Sequence, residues 1–347
     1  MMTWLGRWRS SAAWIAASVA LALALFGVFL WVNGRNPFVV YGSMLRGAFG
    51  GAWELSETLV EATPIMICAL AVALPARAGL LNIGGEGQLQ AGALGATYVA
   101  LFCPAIPHPF VLPAMAVAGA IAGALFASIP GTLRGWLRIN ETLVSLLLNY
   151  VGILLVEYFV HGPWRDPASY GWPFTAQFGS AAVLAPIFPR SRLNVGLLVA
   201  LALALALHFV FSFTRQGFIW RILGANPRVA RYAQVNTAAY VFLCFAVAGS
   251  FAGIAGFVEC SALQGRLRPG ISPGYGYIGF LVAWLAGNSF LTIPVVSILV
   301  GGILAAGDNL QIGASLPSDT AEILQGLVFL AVLAGMAMHK NRGNSAV

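Results

Sequence analysis

Asn82, Glu86 and Gln90 recur at intervals of four in the stretch RAGLLNIGGEGQLQAGALGA, with Gln88 between the last two. On a helix that spacing puts the three on one face. Amides and a carboxylate set in apolar sequence are costly unless they meet a bundle interior or a water-filled path. Their chemistry is hydrogen bonding to a polar solute, not bond making. Gly84, Gly85 and Gly87 predict a broken helix there, because irregular backbone at membrane depth survives only when buried in protein or lining a cavity. In the competing reading the glycines serve close packing and Glu86 bonds a neighbouring backbone. A second stripe, Glu141, Ser145 and Asn149, repeats at the same interval in INETLVSLLLNYVGILLVEYF. Glu141 by itself reads as a helix cap, and Asn149 is divided between interhelical bonding and solute contact. Glu157, Glu259, Asp308 and Asn309 fall toward the outer ends of apolar runs, where a hydrated rim is expected.

Energy chemistry is missing from this inventory. A phosphate-cradling loop needs a glycine-rich turn followed by Lys and Ser or Thr, yet the sole lysine is Lys340, followed by Asn341. His108, His161, His208 and His339 are dispersed, and Cys68, Cys103, Cys244 and Cys260 show no C-x-x-C spacing. The chain is therefore expected to hold no catalytic residue, no metal and no cofactor of its own.

The elements that must position these polar groups are membrane helices. Hydrophobic residues make up 59% of the chain and charged residues 8%, far below the charged share of roughly a quarter in soluble domains. The expected fold is all-α: a polytopic membrane bundle forming one domain over residues 1–347. Apolar runs near 12–32, 58–76, 83–102, 110–131, 142–160, 194–213, 237–260, 275–290, 293–309 and 320–338 predict about ten spans. The first follows Arg7 and Arg9 like a signal peptide but is too long for a cleaved one. With both termini inside, Arg7, Arg9, Arg77, Arg134, Arg138, Arg215, Arg221, Arg228, Arg231, Lys340 and Arg342 fall on the cytoplasmic side. They outnumber the remaining arginines, as the positive-inside rule requires. The basic residues form no stripe, so nucleic acid is not an expected partner.

Two connections exceed a turn. Residues 161–193, rich in Trp and Pro, read as an outer interfacial loop. Residues 214–236, TRQGFIWRILGANPRVARYAQVN, read as a cytoplasmic loop in which Gly224, Ala225, Asn226 and Pro227 end one short helix and start another. Asn226 is its cap and Pro227 its first turn.

AGLLNIGGEGQLQAGA, INETLVSLLLNYV and ILGANPRVARYAQVN, in this order, resemble the permease subunits of ABC importers of the ribose, nucleoside and branched-chain amino acid class. The likeness runs from the second span to the C-terminus and is greatest to simple-sugar and nucleoside permeases. Gln234 stands where that family usually has a small residue, often glycine, and Leu81 where an aromatic is common. The resemblance implies a bacterial inner-membrane assembly of two permease subunits, alike or different, with a cytoplasmic ATPase that uses ATP and Mg, and an extracytoplasmic binding protein. It implies that Gly224, Ala225, Asn226, Pro227, Arg228 and Arg231 couple to the ATPase, and that Asn82, Glu86, Gln88, Gln90 and Asn149 line the path of a nucleoside or sugar. A branched-chain amino acid permease and an ion-gradient-driven secondary transporter are the alternatives, the latter because a broken helix with a carboxylate at mid-depth suits it equally.

Overall fold

The computed structural model describes residues 2–313, 317 and 319–344, with side chains over 17–307, 310, 317 and 320–335. The described residues form helices joined by loops, without a strand. In chain order they form α1 (Met2–Val32), α2 (Pro37–Phe49), α3 (Ala52–Arg77), α4 (Gly85–Phe102), α5 (His108–Leu137), α6 (Glu141–His161), α7 (Gly196–Phe213), α8 (Arg215–Ala225), α9 (Pro227–Tyr232), α10 (Thr237–Val258), α11 (Tyr275–Leu285), α12 (Ile293–Gly313) and α13 (Asp319–Asn344). Each of the ten predicted apolar runs contains a helix, though not each helix is long enough to be a span. Among the described residues, α3, α5, α6, α7 and the stretch Thr237–Gln264 are each long and apolar enough to cross a membrane, and α1 with α2 makes a sixth, bent by 118°. The run expected over 275–290 stops at Leu285, because Gly287 and Asn288 turn into the left-handed region.

Two compact units divide the chain. In the unit within Met1–Glu61 and Ile298–Val347, α1 packs along α13. Asn36 turns the chain into α2 by accepting from the Phe38 amide at 3.0 Å, with Pro37 in the first turn.

The unit Ala62–Ser297 is built around α4, α5 and α10. These helices meet at glycines, as expected from the small-residue spacing of Gly119, Gly123, Gly249, Gly253 and Gly256. A Cβ added at Gly253 would collide with the carbonyl oxygen of Gly119, and one at Gly123 with that of Gly249. Backbone therefore touches backbone, and a side chain has nowhere to go. Gly253→Val is expected to lower stability by about 2–3 kcal/mol, read as a drop in unfolding temperature in detergent. A variant as stable as the wild type would contradict this packing.

Candidate functional site

The break in the polar region lies one step earlier than its glycines predict. At the end of α3, Gly79 takes φ +74°, its amide bonds the Ala76 carbonyl at 3.1 Å, and the Leu80 amide bonds that of Pro75 at 2.9 Å. This left-handed stop satisfies the last carbonyls of the helix. Residues 78–84 are not helical, and α4 then runs unbroken from Gly85 through Gly87 and Gln90. Asn82 thus precedes the helix and does not share its face with Glu86 and Gln90.

Side chains from the neighbouring helix hold the irregular stretch. Asn149 of α6 accepts from the Gly87 amide and donates to the Ile83 carbonyl, both at 2.9 Å, while Ser145 Oγ accepts from the Ile83 amide at 3.2 Å. Asn82 and Gln88 exchange two amide bonds, at 2.9 and 3.1 Å, and Asn82 Oδ1 also takes the Gly84 amide at 3.1 Å. Glu141 accepts from the Leu81 amide at 3.4 Å and pairs with Arg134 at 3.2 Å. The cap of α6 is Asn140, which accepts from the Thr142 amide. At a rise of 1.5 Å per residue, Asn149 stands about 12 Å along α6 from Glu141.

Glu86 is buried (2% exposed). Its Oε1 accepts from Gln90 Nε2 at 3.1 Å, and its Oε2 from Ser272 Oγ at 3.1 Å and the Gly276 amide at 2.9 Å. Ser272 Oγ in turn accepts from the amides of Gly274 and Tyr275. The carboxylate thus faces the N-terminus of α11, a short helix whose dipole and free amides favour negative charge. The starts of α4 and α11 come into backbone contact here, since a Cβ on Gly276 would strike the Glu86 backbone. Farther along α11, Gly279 abuts Cys68, about 14 Å up α3 from Arg77. The cluster accordingly sits near mid-depth. Gln90 Oε1, also buried, accepts no hydrogen bond among the described residues.

Asn82, Glu86, Gln88, Gln90 and Asn149 are thus all buried, with Asn82, Gln88 and Asn149 bonded around the backbone of 83–87 and Glu86 bonded to Gln90 and the start of α11. Sequence reasoning missed Ser272 and Gly276, which are 186 and 190 residues from Glu86 and carry no local signal. Glu259, expected at a hydrated rim, is buried: α10 continues into a π turn over Glu259–Gln264, and Glu259 accepts from Gln264 at 3.2 Å. Glu157 is half-buried. The side chains of Asp308 and Asn309 lie outside the described residues.

Residues 214–236 fold as their sequence predicts. Thr214 caps α8, and Asn226 ends it and caps α9 by accepting from the Arg228 amide at 3.0 Å, with Pro227 in the first turn. Gln234 sits at φ +56°, its amide bonded to the Arg231 carbonyl at 3.0 Å and the Val235 amide to that of Ala230 at 3.1 Å. A glycine at this position would adopt the left-handed cap without a Cβ penalty. Ala225, Asn226, Pro227, Arg228 and Arg231 are exposed, together with Val229 and Tyr232, an apolar pair absent from the sequence-based set. Trp220 anchors α8 from behind, stacked on Phe211 at 5.6 Å and bonded to the Tyr240 carbonyl. A Cβ on Gly224 would lie 2.6 Å from the Arg77 carbonyl oxygen and 2.9 Å from the Gly79 nitrogen. The exposed helix pair therefore bears directly on the turn from which the mid-depth network starts. Arg77 fixes that turn on its other side, donating to the Asn288 carbonyl at 2.8 Å and lying over the Phe290 ring.

A helical membrane bundle with polar groups gathered at mid-depth, and a basic helix pair exposed at one end, is the build of a permease. The family described as branched-chain amino acid transport system, permease component, matches residues 54–333. The glucose ABC transporter permease protein TsgB13 of Haloferax volcanii is 34% identical over 94% of this chain and 89% of its own. The guanosine ABC transporter permease protein NupP of Bacillus subtilis is 30% identical over 92% of each chain. The nucleoside ABC transporter permease protein NupB of Lactococcus lactis is 27% identical over 91% of this chain and 89% of its own. The chain belongs to this family and is a multi-pass ABC importer permease.

Two substitutions test the geometry. Asn149→Ala removes both bonds that hold the Ile83–Gly87 stretch, at about 1–3 kcal/mol for each buried group left unpaired, so the Gly87 amide should exchange at least tenfold faster by hydrogen-exchange mass spectrometry. Exchange at the wild-type rate would show that Asn149 does not hold it. Gln234→Gly should raise stability by about 1 kcal/mol, seen as a higher unfolding midpoint in detergent, and a lower midpoint would mean that the glutamine side chain contributes contacts of its own.

Proposed function

We propose that this chain is the translocating subunit of an ATP-driven importer for a neutral, hydroxyl-rich solute, a nucleoside or a simple sugar. The observation that carries the reading is the chemistry of the mid-depth polar groups: four amide side chains and one serine-bonded carboxylate, with no cation bonded to them among the described residues. Amides offer both donors and acceptors to hydroxyls and nucleobase edges. The carboxylate of an amino acid would need a cation or a helix N-terminus, and the N-terminus of α11 is already met by Glu86. The names of the relatives, glucose, guanosine and nucleoside permeases, agree with the reading.

Within it, Glu86 and Gln90 meet the solute, with Gln90 Oε1 open to a donor. Asn82, Gln88 and Asn149 flank the path by holding the 80–84 segment in place. ATP and Mg belong to a separate cytoplasmic ATPase, which docks on Gly224, Ala225, Asn226, Pro227, Arg228 and Arg231 on the cytoplasmic side, with Val229 and Tyr232 inserting between the arginines. Its movement reaches the path through the contact of Gly224 with Arg77 and Gly79. A second permease subunit completes the path, an extracytoplasmic binding protein delivers the solute, and both termini lie in the cytoplasm of a bacterial inner membrane.

In cells carrying the whole importer, Asn226→Ala with Pro227→Ala should abolish uptake of labelled nucleoside or sugar, while the amount of chain in the membrane stays at the wild-type level. Uptake at the wild-type rate would remove the coupling role from this loop.

A further inference from the structure

The path described so far uses one buried carboxylate, and the chain holds a second. Glu259, at the end of α10, is 2% exposed. A carboxylate inside a membrane helix is costly and belongs to a bundle interior or a hydrated path. The helix changes pitch at this residue. Over Glu259–Gln264 it runs as a π turn, whose pairing of i with i+5 brings Gln264 beside Glu259. At 3.6 residues per turn the same step of five would send the two to different sides. Gln264 Nε2 accordingly donates to Glu259 Oε1 at 3.2 Å. Gln264 is half-buried, so the pair stands at the edge of the packed interior.

Contacts between α4 and α10 give the height of the pair. Gly253 meets Gly92, Gly256 meets Leu89 and Ala93, and Cys260 meets Thr97. The two helices therefore run parallel, and Glu259 stands about 10–15 Å beyond Glu86, on the side away from α8 and α9. Both carboxylates lie within electrostatic reach of Cys68 of α3. A single segment also joins them. From Gln264 the chain passes Gly265, Gly270 and Gly274, each at positive φ, buries Leu267 and Ile271, and arrives at Ser272 and Gly276, which hold Glu86. The π turn is fixed from outside as well, since Ser261 Oγ donates to the Ala182 carbonyl at 2.7 Å and the Leu184 amide bonds the Ser261 carbonyl at 3.2 Å. Two heights thus carry the same chemistry: Glu86 with the Gln90 amide, and Glu259 with that of Gln264.

We infer that Glu259 and Gln264 form a second binding station for the hydroxyl groups of the solute, which it reaches before Glu86 and Gln90 on the inward route. This rests on the proposed importer function and gives its solute a second site. An ionised carboxylate only accepts hydrogen bonds, whereas an amide both donates and accepts. A hydroxyl can therefore enter between Glu259 and Gln264, giving its hydrogen to the carboxylate and accepting from the amide. An anionic solute meets a like charge here as it does at Glu86, so the two stations reject it twice. The π turn is what makes the pair, and a regular α turn would take it apart.

The test uses the complete importer in proteoliposomes with saturating binding protein. Its probes are labelled guanosine or glucose, whichever the wild type takes up, and the dideoxy analogue of that solute. Glu259→Gln should lower the maximal uptake of the hydroxylated solute about tenfold or more, and that of the analogue by less than about twofold. Equal losses for both would overturn the station. Accessibility is read separately, in a chain with Cys68, Cys103, Cys244 and Cys260 replaced by serine. There Gln264→Cys should react during turnover with an impermeant cationic thiol reagent added outside, and the solute should slow that reaction about tenfold. A thiol that never reacts, or reacts at one rate with and without solute, marks the pair as a packing brace and overturns the station, even if Glu259→Gln fails to assemble. ATP-driven uptake of neither guanosine nor glucose by the wild type would instead overturn the proposed function.

Discussion

From residue 78 to 84 the backbone runs outside any helix, and the first amides of α4 beyond it have no intrahelical partner, so open groups there call for side-chain partners. Asn149 meets two of them at once, taking the Gly87 amide and giving to the Ile83 carbonyl at 2.9 Å each. Ser145 takes the Ile83 amide, Glu141 the Leu81 amide, and Asn82 Oδ1, itself braced by Gln88, the Gly84 amide. Because these bonds replace backbone pairing, α4 can begin at mid-depth, and with it the one carboxylate that meets α11 head on. Without them the start of α4 would have no fixed height, and Glu86 no fixed relation to Gly276.

The same stretch joins two places that a transporter must connect. Its lower end is the left-handed turn at Gly79, pressed against Gly224 at the tip of α8. Its upper end is the amide of Gly87. The contact with α8 thus bears on a short irregular segment and not on the side of a long helix. The glycines at 79, 224 and 276 each let backbone rest on backbone with no side chain between.

Most of the architecture was legible in local sequence. Ten apolar runs gave ten helical stretches, because hydrocarbon solvent enforces helix over any long apolar run. The Asn226–Pro227 break was legible because capping is decided by adjacent residues. Gln234, a departure from the resembled family, proved informative for the same reason: the position is left-handed, as its usual glycine implies. The polar network was legible only as composition. Asn82 was placed on a helical face by its spacing from Glu86, but the stop at Gly79 comes first and the spacing does not apply. Ser272 and Gly276 reach Glu86 from a distant part of the chain, and Glu259 is covered because α10 runs on as a π turn. Such pairings are set by packing and leave no periodic trace.

The central claim is that this chain provides a path and a lever while the energy comes from ATP bound elsewhere. Its most direct test is uptake of labelled nucleoside and sugar into proteoliposomes holding the complete assembly, with ATP and with ion gradients supplied separately. Uptake that requires ATP and persists when ionophores collapse every gradient is the predicted result. Uptake by this chain alone, driven by a proton or sodium gradient without ATP, would contradict it.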